Sequence, residues 1–124
     1  MVNNAVYSAY SQNQIGVESQ EKLIEMLYSG ILRFSSRIKI AIQNENIEER
    51  VYYVKRASAI FIELLNCLDY EKGGEIAHYL SGLYTRELQL LSLANIENNE
   101  ARVDEVINVV KGLLEAWREV HKNE

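Results

Sequence analysis

The sequence predicts an all-α fold: an antiparallel up-down-up-down four-helix bundle with an extended or short helical N-terminal tail. Two observations predict it. The 124 residues include no proline and only 6 glycines, so the chain has few places to turn. Apolar residues recur at steps of three and four along most of the chain, which is the spacing of an amphipathic helix.

Residues 1–18 form the predicted tail, and residues 19–124 form the predicted bundle. The tail lacks a helical period, yet it carries the apolar side chains of Tyr7, Tyr10, Ile15 and Val17. We interpret these side chains as anchors with which the tail covers an apolar groove of the bundle. The alternative is a disordered terminus, although disordered tails are usually poor in aromatic residues.

The first helix is predicted over Ser19–Gln43, with the Ser19 side chain as its N-cap. A polar break then precedes the second helix, which is predicted from Asn46 to about Asp69. The start of the second helix has a capping-box pattern, because Glu49 lies three residues after Asn46.

The segment Asp69–Gly74 is predicted to be a loop, because it is polar and contains the only adjacent glycines of the chain. The third helix is predicted over about Glu75–Ala94, and the fourth over about Glu100–Lys122. The apolar seam of the fourth helix continues to Trp117, so this residue is predicted to lie in the core.

Composition and motifs argue against an enzyme, a metalloprotein and a nucleic-acid binder. The net charge of −5 is the opposite of the basic surplus that nucleic-acid binding requires. Cys67 is the only cysteine, and we interpret it as a small core residue. Glu75 and His78 match the Glu-x-x-His pattern of di-iron bundles once, but that site needs the pattern twice. We therefore expect no catalytic residue, no metal site and no cofactor.

The location of the protein is predicted from what the sequence lacks. No apolar run approaches the roughly 18 residues that a membrane-spanning helix needs. The polar start of the chain is unlike a signal peptide. We expect a cytoplasmic protein without direct membrane insertion that is a monomer or a weak dimer when free.

The predicted helices carry more apolar surface than a small core can bury. On helical wheels their apolar arcs span roughly 180–220°, wider than a bundle helix needs. The tail, a second copy of the chain or another protein could cover the excess, and scattered surface residues are the simpler interpretation. We interpret the excess as a groove for an amphipathic segment. The candidate groove residues are Tyr7, Tyr10, Ile15, Val17, Leu23, Met26, Leu27, Tyr28, Tyr53, Ile60, Leu64, Tyr84, Leu88 and Val109.

Glu87 is unusual because it falls among apolar residues on the wheel of the third helix. An unpaired buried carboxylate is costly. Glu87 is therefore expected to reach solvent at a kink or to pair with a basic or hydroxyl group, unless the apolar seam shifts locally.

Several motifs, in order along the chain, resemble the flagellin export chaperone family (FliS). The tyrosine-bearing stretch Asn4–Tyr10 is similar to the start of that family. Ser19–Gly30 resembles its Ser-Pro-x-Lys-Leu-Ile-x-Met-Leu-Tyr-x-Gly signature, with Gln20 where proline is common. Asp69–Glu75 resembles its Asp-Tyr-x-x-Gly-Gly-Glu loop, and Glu115–Glu119 is similar to its C-terminal stretch.

This resemblance implies a cytoplasmic chaperone for bacterial flagellum biogenesis. Such a protein binds the C-terminal segment of flagellin, prevents premature polymerisation and assists delivery to the flagellar export apparatus. The resemblance also leaves room for the export gate, a co-chaperone or an anti-sigma regulator as further partners. The alternative is an obligate helical homodimer that acts as a structural or adaptor protein.

Overall fold

The structure is a computed structural model that describes Ala9 and residues 17–122, with side chains for Ala9 and residues 20–122. Within these residues it has four α-helices, which confirms the predicted all-α class. The helices are α1 (Val17–Gln43), α2 (Ile47–Cys67), α3 (Tyr70–Glu97) and α4 (Glu100–Lys122). Apart from Ala9 and the first residues of α1, the predicted tail lies outside the described residues.

Each helix runs antiparallel to the helix that follows it. α1 packs against α2 and α4, and α3 packs against the same two helices. The start of α2 meets the end of α3, where Arg50 Nε donates to Asn95 Oδ1 at 2.9 Å. The end of α1 meets the start of α4, where Gln43 Nε2 donates to Glu100 Oε2 at 3.0 Å. The predicted up-down-up-down order is therefore the observed order.

The predicted loop over Asp69–Gly74 is wrong. Asp69 caps α3, since its side chain accepts a hydrogen bond from Lys72 N at 3.0 Å and its carbonyl accepts one from Gly73 N at 2.7 Å. The helix then kinks at Gly74, whose φ of 50° and ψ of −127° are not helical. The glycine pair therefore marks a kink inside α3, because the cap supplies a helical turn ahead of it.

Two other predicted helix ends differ from the structure. α1 already begins at Val17, so Ser19 lies inside the helix rather than capping it. α3 continues to Glu97 and ends at Asn98, which adopts the left-handed conformation that asparagine tolerates. The Asn46 cap of α2 is confirmed, because its side chain accepts from Glu49 N at 3.1 Å.

The core is apolar, but large apolar side chains also remain outside it. Trp117 is 3% exposed, which confirms its prediction as a core residue. Large apolar residues that are exposed occur on several helix faces, which agrees with the predicted surplus. Among the described residues they are Met26, Ile40, Ile47, Tyr52, Ile62, Tyr70, Ile76, Tyr79, Leu93 and Ile96.

Glu87 is fully buried and pairs with the basic side chain of Arg86. This confirms the expected pairing with a basic or hydroxyl group. Arg86 Nη1 donates to Glu87 Oε2 at 3.1 Å, and Arg86 also reaches Glu105 Oε2 of α4 at 3.6 Å. Glu87 Oε1 has no hydrogen-bond partner within the described part of the chain. Burial raises the pKa of Glu87; Arg86 opposes this shift and Glu105 adds to it.

Replacing Gly74 with alanine is expected to destabilise the protein by about 1–3 kcal/mol. A Cβ at Gly74 would meet nothing within 4 Å, so the cost comes from the backbone conformation alone. Urea unfolding gives the free energy. Gly82→Ala is the matched control, since its Cβ would also meet nothing, and helix propensity should make it stabilising by about 0.5–1 kcal/mol. Equal stabilisation by both substitutions would contradict the kink.

Replacing Glu87 with glutamine is expected to remove part of the pH dependence of stability. Because the folded pKa is raised, folded Glu87 binds more protons than unfolded Glu87. Its contribution to stability is therefore lost as pH rises from about 4.3, the unfolded value, through the raised folded pKa. Urea unfolding between pH 4 and pH 8 measures the free energy of unfolding. As pH rises, the value for the variant should increase relative to the value for the parent protein. Parallel curves would contradict the raised pKa.

Candidate functional site

An apolar pocket opens between the first half of α3 and the last turns of α4. Its volume is about 180 Å³, and Tyr28 of α1 contributes to its lining. The other lining residues come from α3 and α4. They are Ile76, Tyr79, Leu80, Leu113, Ala116, Trp117 and Val120.

Helical spacing explains why these residues meet. On α3, Tyr79 and Leu80 follow Ile76 by three and four residues. On α4, Ala116 and Trp117 follow Leu113 by the same two steps. Residues at these spacings share one helix face, and antiparallel packing brings the two faces together.

The polar atoms of the lining residues are largely engaged elsewhere. The hydroxyl groups of Tyr28 and Tyr84 share a buried hydrogen bond of 2.6 Å. Trp117 Nε1 donates to the carbonyl of Glu21 at 3.0 Å, which also fixes the end of α4 on α1. Carbon surfaces therefore dominate the lining, and such a pocket selects apolar side chains.

Two residues make this apolar surface accessible from outside the bundle. Tyr79 is 66% exposed and Ile76 is 37% exposed, although both line the pocket. Two other cavities lie between α1 and α4. One is lined by charged residues and His121, and the other mixes apolar side chains with Lys39, whose Nζ lies 2.7 Å from Asp104 Oδ1. Compared with these two cavities, the α3–α4 pocket has the more apolar lining.

The predicted groove residues that the structure describes are spread over the bundle, and of these the pocket lining includes Tyr28 alone. Leu64 and Tyr84 are buried in the core, and Met26 is 64% exposed. Half-buried positions on other faces hold Leu23, Leu27, Tyr53, Ile60, Leu88 and Val109. The remaining predicted residues, Tyr7, Tyr10, Ile15 and the side chain of Val17, lie outside what the structure describes.

Sequence reasoning misses most of the pocket residues as binding residues. Ile76, Leu80, Leu113 and Trp117 belong to the apolar seams, and a seam position predicts a core residue. Tyr79 lies beside the apolar seam of α3. Nothing in the sequence indicates that its side chain is exposed at the edge of a pocket. A helical wheel shows which residues share a face, but not where two faces part to leave a cavity.

The start of α3 also contacts the tail. The amide of Asp69 donates to the carbonyl of Ala9 at 2.6 Å, and Ala9 is fully buried. This contact places Ala9 at the end of the bundle where α3 begins and α4 ends. The pocket is at the same end.

The site has the character of a binding surface rather than of a reaction centre. Within residues 20–122, no three His, Cys, Asp or Glu side chains gather in a way that could hold a metal ion. Burial, and then the Glu63 carboxylate, raise the pKa of the Cys67 thiol, so it stays protonated and is a weak nucleophile. No described helix is long and apolar enough to cross a membrane.

Comparisons with known proteins agree on one family. The family model described as flagellar protein FliS matches residues 2–124. A flagellar secretion chaperone FliS of Campylobacter jejuni is 77% identical over 124 residues, which are 100% of this chain and 97% of that protein. The Vibrio cholerae protein of that name is 31% identical over 87% of this chain and 79% of its own length. The Bacillus subtilis protein of that name is 29% identical over 95% of this chain and 87% of its own length. The chain therefore belongs to the FliS family, a family of flagellar secretion chaperones and not of enzymes.

Proposed function

We propose that the protein is a cytoplasmic export chaperone that binds the C-terminal segment of flagellin in the apolar pocket between α3 and α4. It thereby prevents premature polymerisation and assists delivery to the flagellar export apparatus. The observation that carries this proposal is the apolar pocket itself, with Ile76 and Tyr79 accessible at its edge. Membership of the family supplies the class of guest.

The binding mode that fits this pocket is a helix in a groove. An amphipathic guest helix would place successive apolar side chains between α3 and α4. Burying one large apolar side chain contributes about 1.5–3 kcal/mol, so a few such contacts give specific binding. The same guest surface would otherwise associate with other flagellin molecules.

The tail is the proposed competitor for this surface. Ala9 is held at the start of α3, at the pocket end of the bundle. Tyr7 and Tyr10, its neighbours in the sequence, would then act as aromatic anchors that cover the pocket and also contact the guest. A cover of this kind lowers the apparent affinity of the guest by the fraction of time that it is closed.

A double substitution, Ile76→Ser with Tyr79→Ser, is expected to weaken binding of a synthetic flagellin C-terminal peptide about tenfold or more, because apolar contacts are lost. Isothermal calorimetry measures the affinity, and unchanged thermal unfolding shows that the fold is intact. Wild-type binding should have a negative heat-capacity change and a weak salt dependence.

The matched control is Ile62→Ser with Ile96→Ser, which removes two exposed apolar side chains outside the pocket; Ile62 and Ile96 are 50% and 77% exposed. Equal losses in both double variants would show that the pocket is not the binding site. A concentration-independent dimer without affinity for the peptide would favour the homodimer instead.

Substituting both tail tyrosines, Tyr7→Ser with Tyr10→Ser, is expected to increase self-association of the free protein, because apolar surface loses its cover. It should also weaken peptide binding, since the same tyrosines contact the guest. Light scattering and calorimetry measure the two effects. Hydrogen exchange of residues 5–15 that is equally fast with and without peptide would contradict the role of the tail.

A further inference from the structure

Aromatic rings and arginines form a continuous cluster on the outer face of α1 and α2. The ring of Phe34 stacks on that of Tyr53 with centroids 5.9 Å apart, and Tyr53 meets Tyr52 edge to face at 5.0 Å. The guanidinium of Arg33 lies 5.0 Å from the Phe34 centroid. The guanidinium of Arg56 lies 5.3 Å from the Phe34 centroid and 6.0 Å from that of Tyr52. With Arg37, one turn after Arg33, these residues are called the arginine–aromatic face below.

Close packing of the two helices brings this face together. A Cβ at Gly30 would lie 2.9 Å from Cδ1 of Ile60, so glycine permits α1 to approach α2 closely. One turn further along α1, Phe34 lies beside Tyr53 and Arg56 of α2. Side chains of two helices therefore form one surface.

The arginines of this face lack carboxylate partners. Arg86, Arg102 and Arg118 each form an ion pair with glutamate. Within residues 20–122, no Asp or Glu oxygen lies within 4.0 Å of the charged nitrogens of Arg33, Arg37 or Arg56. All three of these residues are exposed, and so is Tyr52. A chain of net charge −5 therefore carries two guanidiniums over aromatic rings, those of Arg33 and Arg56, with neither paired to a described carboxylate, and Arg37 lies one turn away.

We propose that the arginine–aromatic face is a second docking surface, for an acidic segment of a protein partner. A guanidinium that lies over a ring keeps its N–H edges available, and these edges bind a carboxylate through two parallel hydrogen bonds. Arginine and tyrosine are also, with tryptophan, enriched among the residues that contribute most to binding at protein interfaces. The partner's acidic side chains would contact the guanidiniums, while an apolar side chain covers Tyr52.

This surface is separate from the flagellin pocket proposed above. It is formed by α1 and α2, whereas the pocket lies between α3 and α4. In the observed helix order these are opposite sides of the bundle. An acidic partner could therefore bind while the pocket is occupied.

The test uses a short synthetic peptide in which glutamates alternate with tryptophan, labelled with fluorescein, and the same peptide with glutamine for glutamate. Fluorescence anisotropy should show that the full-length protein binds the acidic peptide and not the neutral one. Binding should weaken about tenfold or more in Arg33→Gln with Arg56→Gln, and should fall steeply with salt. The variant Arg33→Lys with Arg56→Lys should recover only part of the lost affinity. Lysine keeps the charge but lacks the planar guanidinium that binds a carboxylate through two parallel hydrogen bonds.

Two control variants test whether binding of the acidic peptide depends on this surface alone. Lys72→Gln with Lys111→Gln removes equal charge from exposed positions outside the face and should leave binding unchanged. Ile76→Ser with Tyr79→Ser should also leave it unchanged, even if that variant loses flagellin. The proposal is overturned if the parent protein does not bind the acidic peptide or if the Lys72 and Lys111 variant loses equal affinity. Competition by flagellin peptide, or arginine-dependent binding to anionic phospholipid vesicles instead of the peptide, would also overturn it.

Discussion

A bundle of four helices in a cyclic arrangement has little interior, and this limit shapes the molecule. Each helix packs against two neighbours, while the diagonal pairs α1–α3 and α2–α4 share no backbone contact within the described residues. A helix can therefore bury only the side chains directed inward or sideways. The helices of this chain carry wider apolar arcs, so residues such as Tyr79 and Ile96 remain outside. The proposed guest site uses one part of this unburied surface, at Ile76 and Tyr79.

Polar groups inside the bundle restrict how the helices can pack. The Tyr28–Tyr84 hydrogen bond joins the diagonal helices α1 and α3, and Trp117 binds the backbone of α1. Arg86 links α3 to α4, because it pairs with the buried Glu87 beside it and also lies 3.6 Å from Glu105 Oε2 of α4. Sliding α1 by one turn would separate Tyr28 from Tyr84 and Trp117 from the carbonyl of Glu21, in a medium where unpaired polar groups are costly. An apolar core alone tolerates such shifts better than this mixed core does.

The sequence predicts local features well when they depend on residues close to one another in the chain. The Asn46–Glu49 cap and the bounds of α4 follow from spacing and are observed. The start of α3 could not be predicted from Gly73 and Gly74, which indicate a loop. The Asp69 side chain caps a helical turn ahead of them, and the helix therefore begins at Tyr70. The pocket could not be predicted either. A wheel places Leu64 and Tyr84 on apolar faces, but only packing decides that both are covered by neighbouring helices while Tyr79 is not.

Asp69 joins Ala9 to the first turn of α3 through three different groups. Its side chain accepts from Lys72 N, its carbonyl accepts from Gly73 N, and its amide donates to Ala9. The first turn of α3 lies between this residue and the kink at Gly74, so it is joined to the rest of its helix through a glycine. Loss of the Ala9 contact would leave that turn supported by the Asp69 cap and by the ring contact between Tyr70 and His78, whose centroids are 4.9 Å apart. Ala9 and the first turn of α3 therefore share Asp69, so a change in the contact at Ala9 acts on the end of the helix that lies next to the pocket.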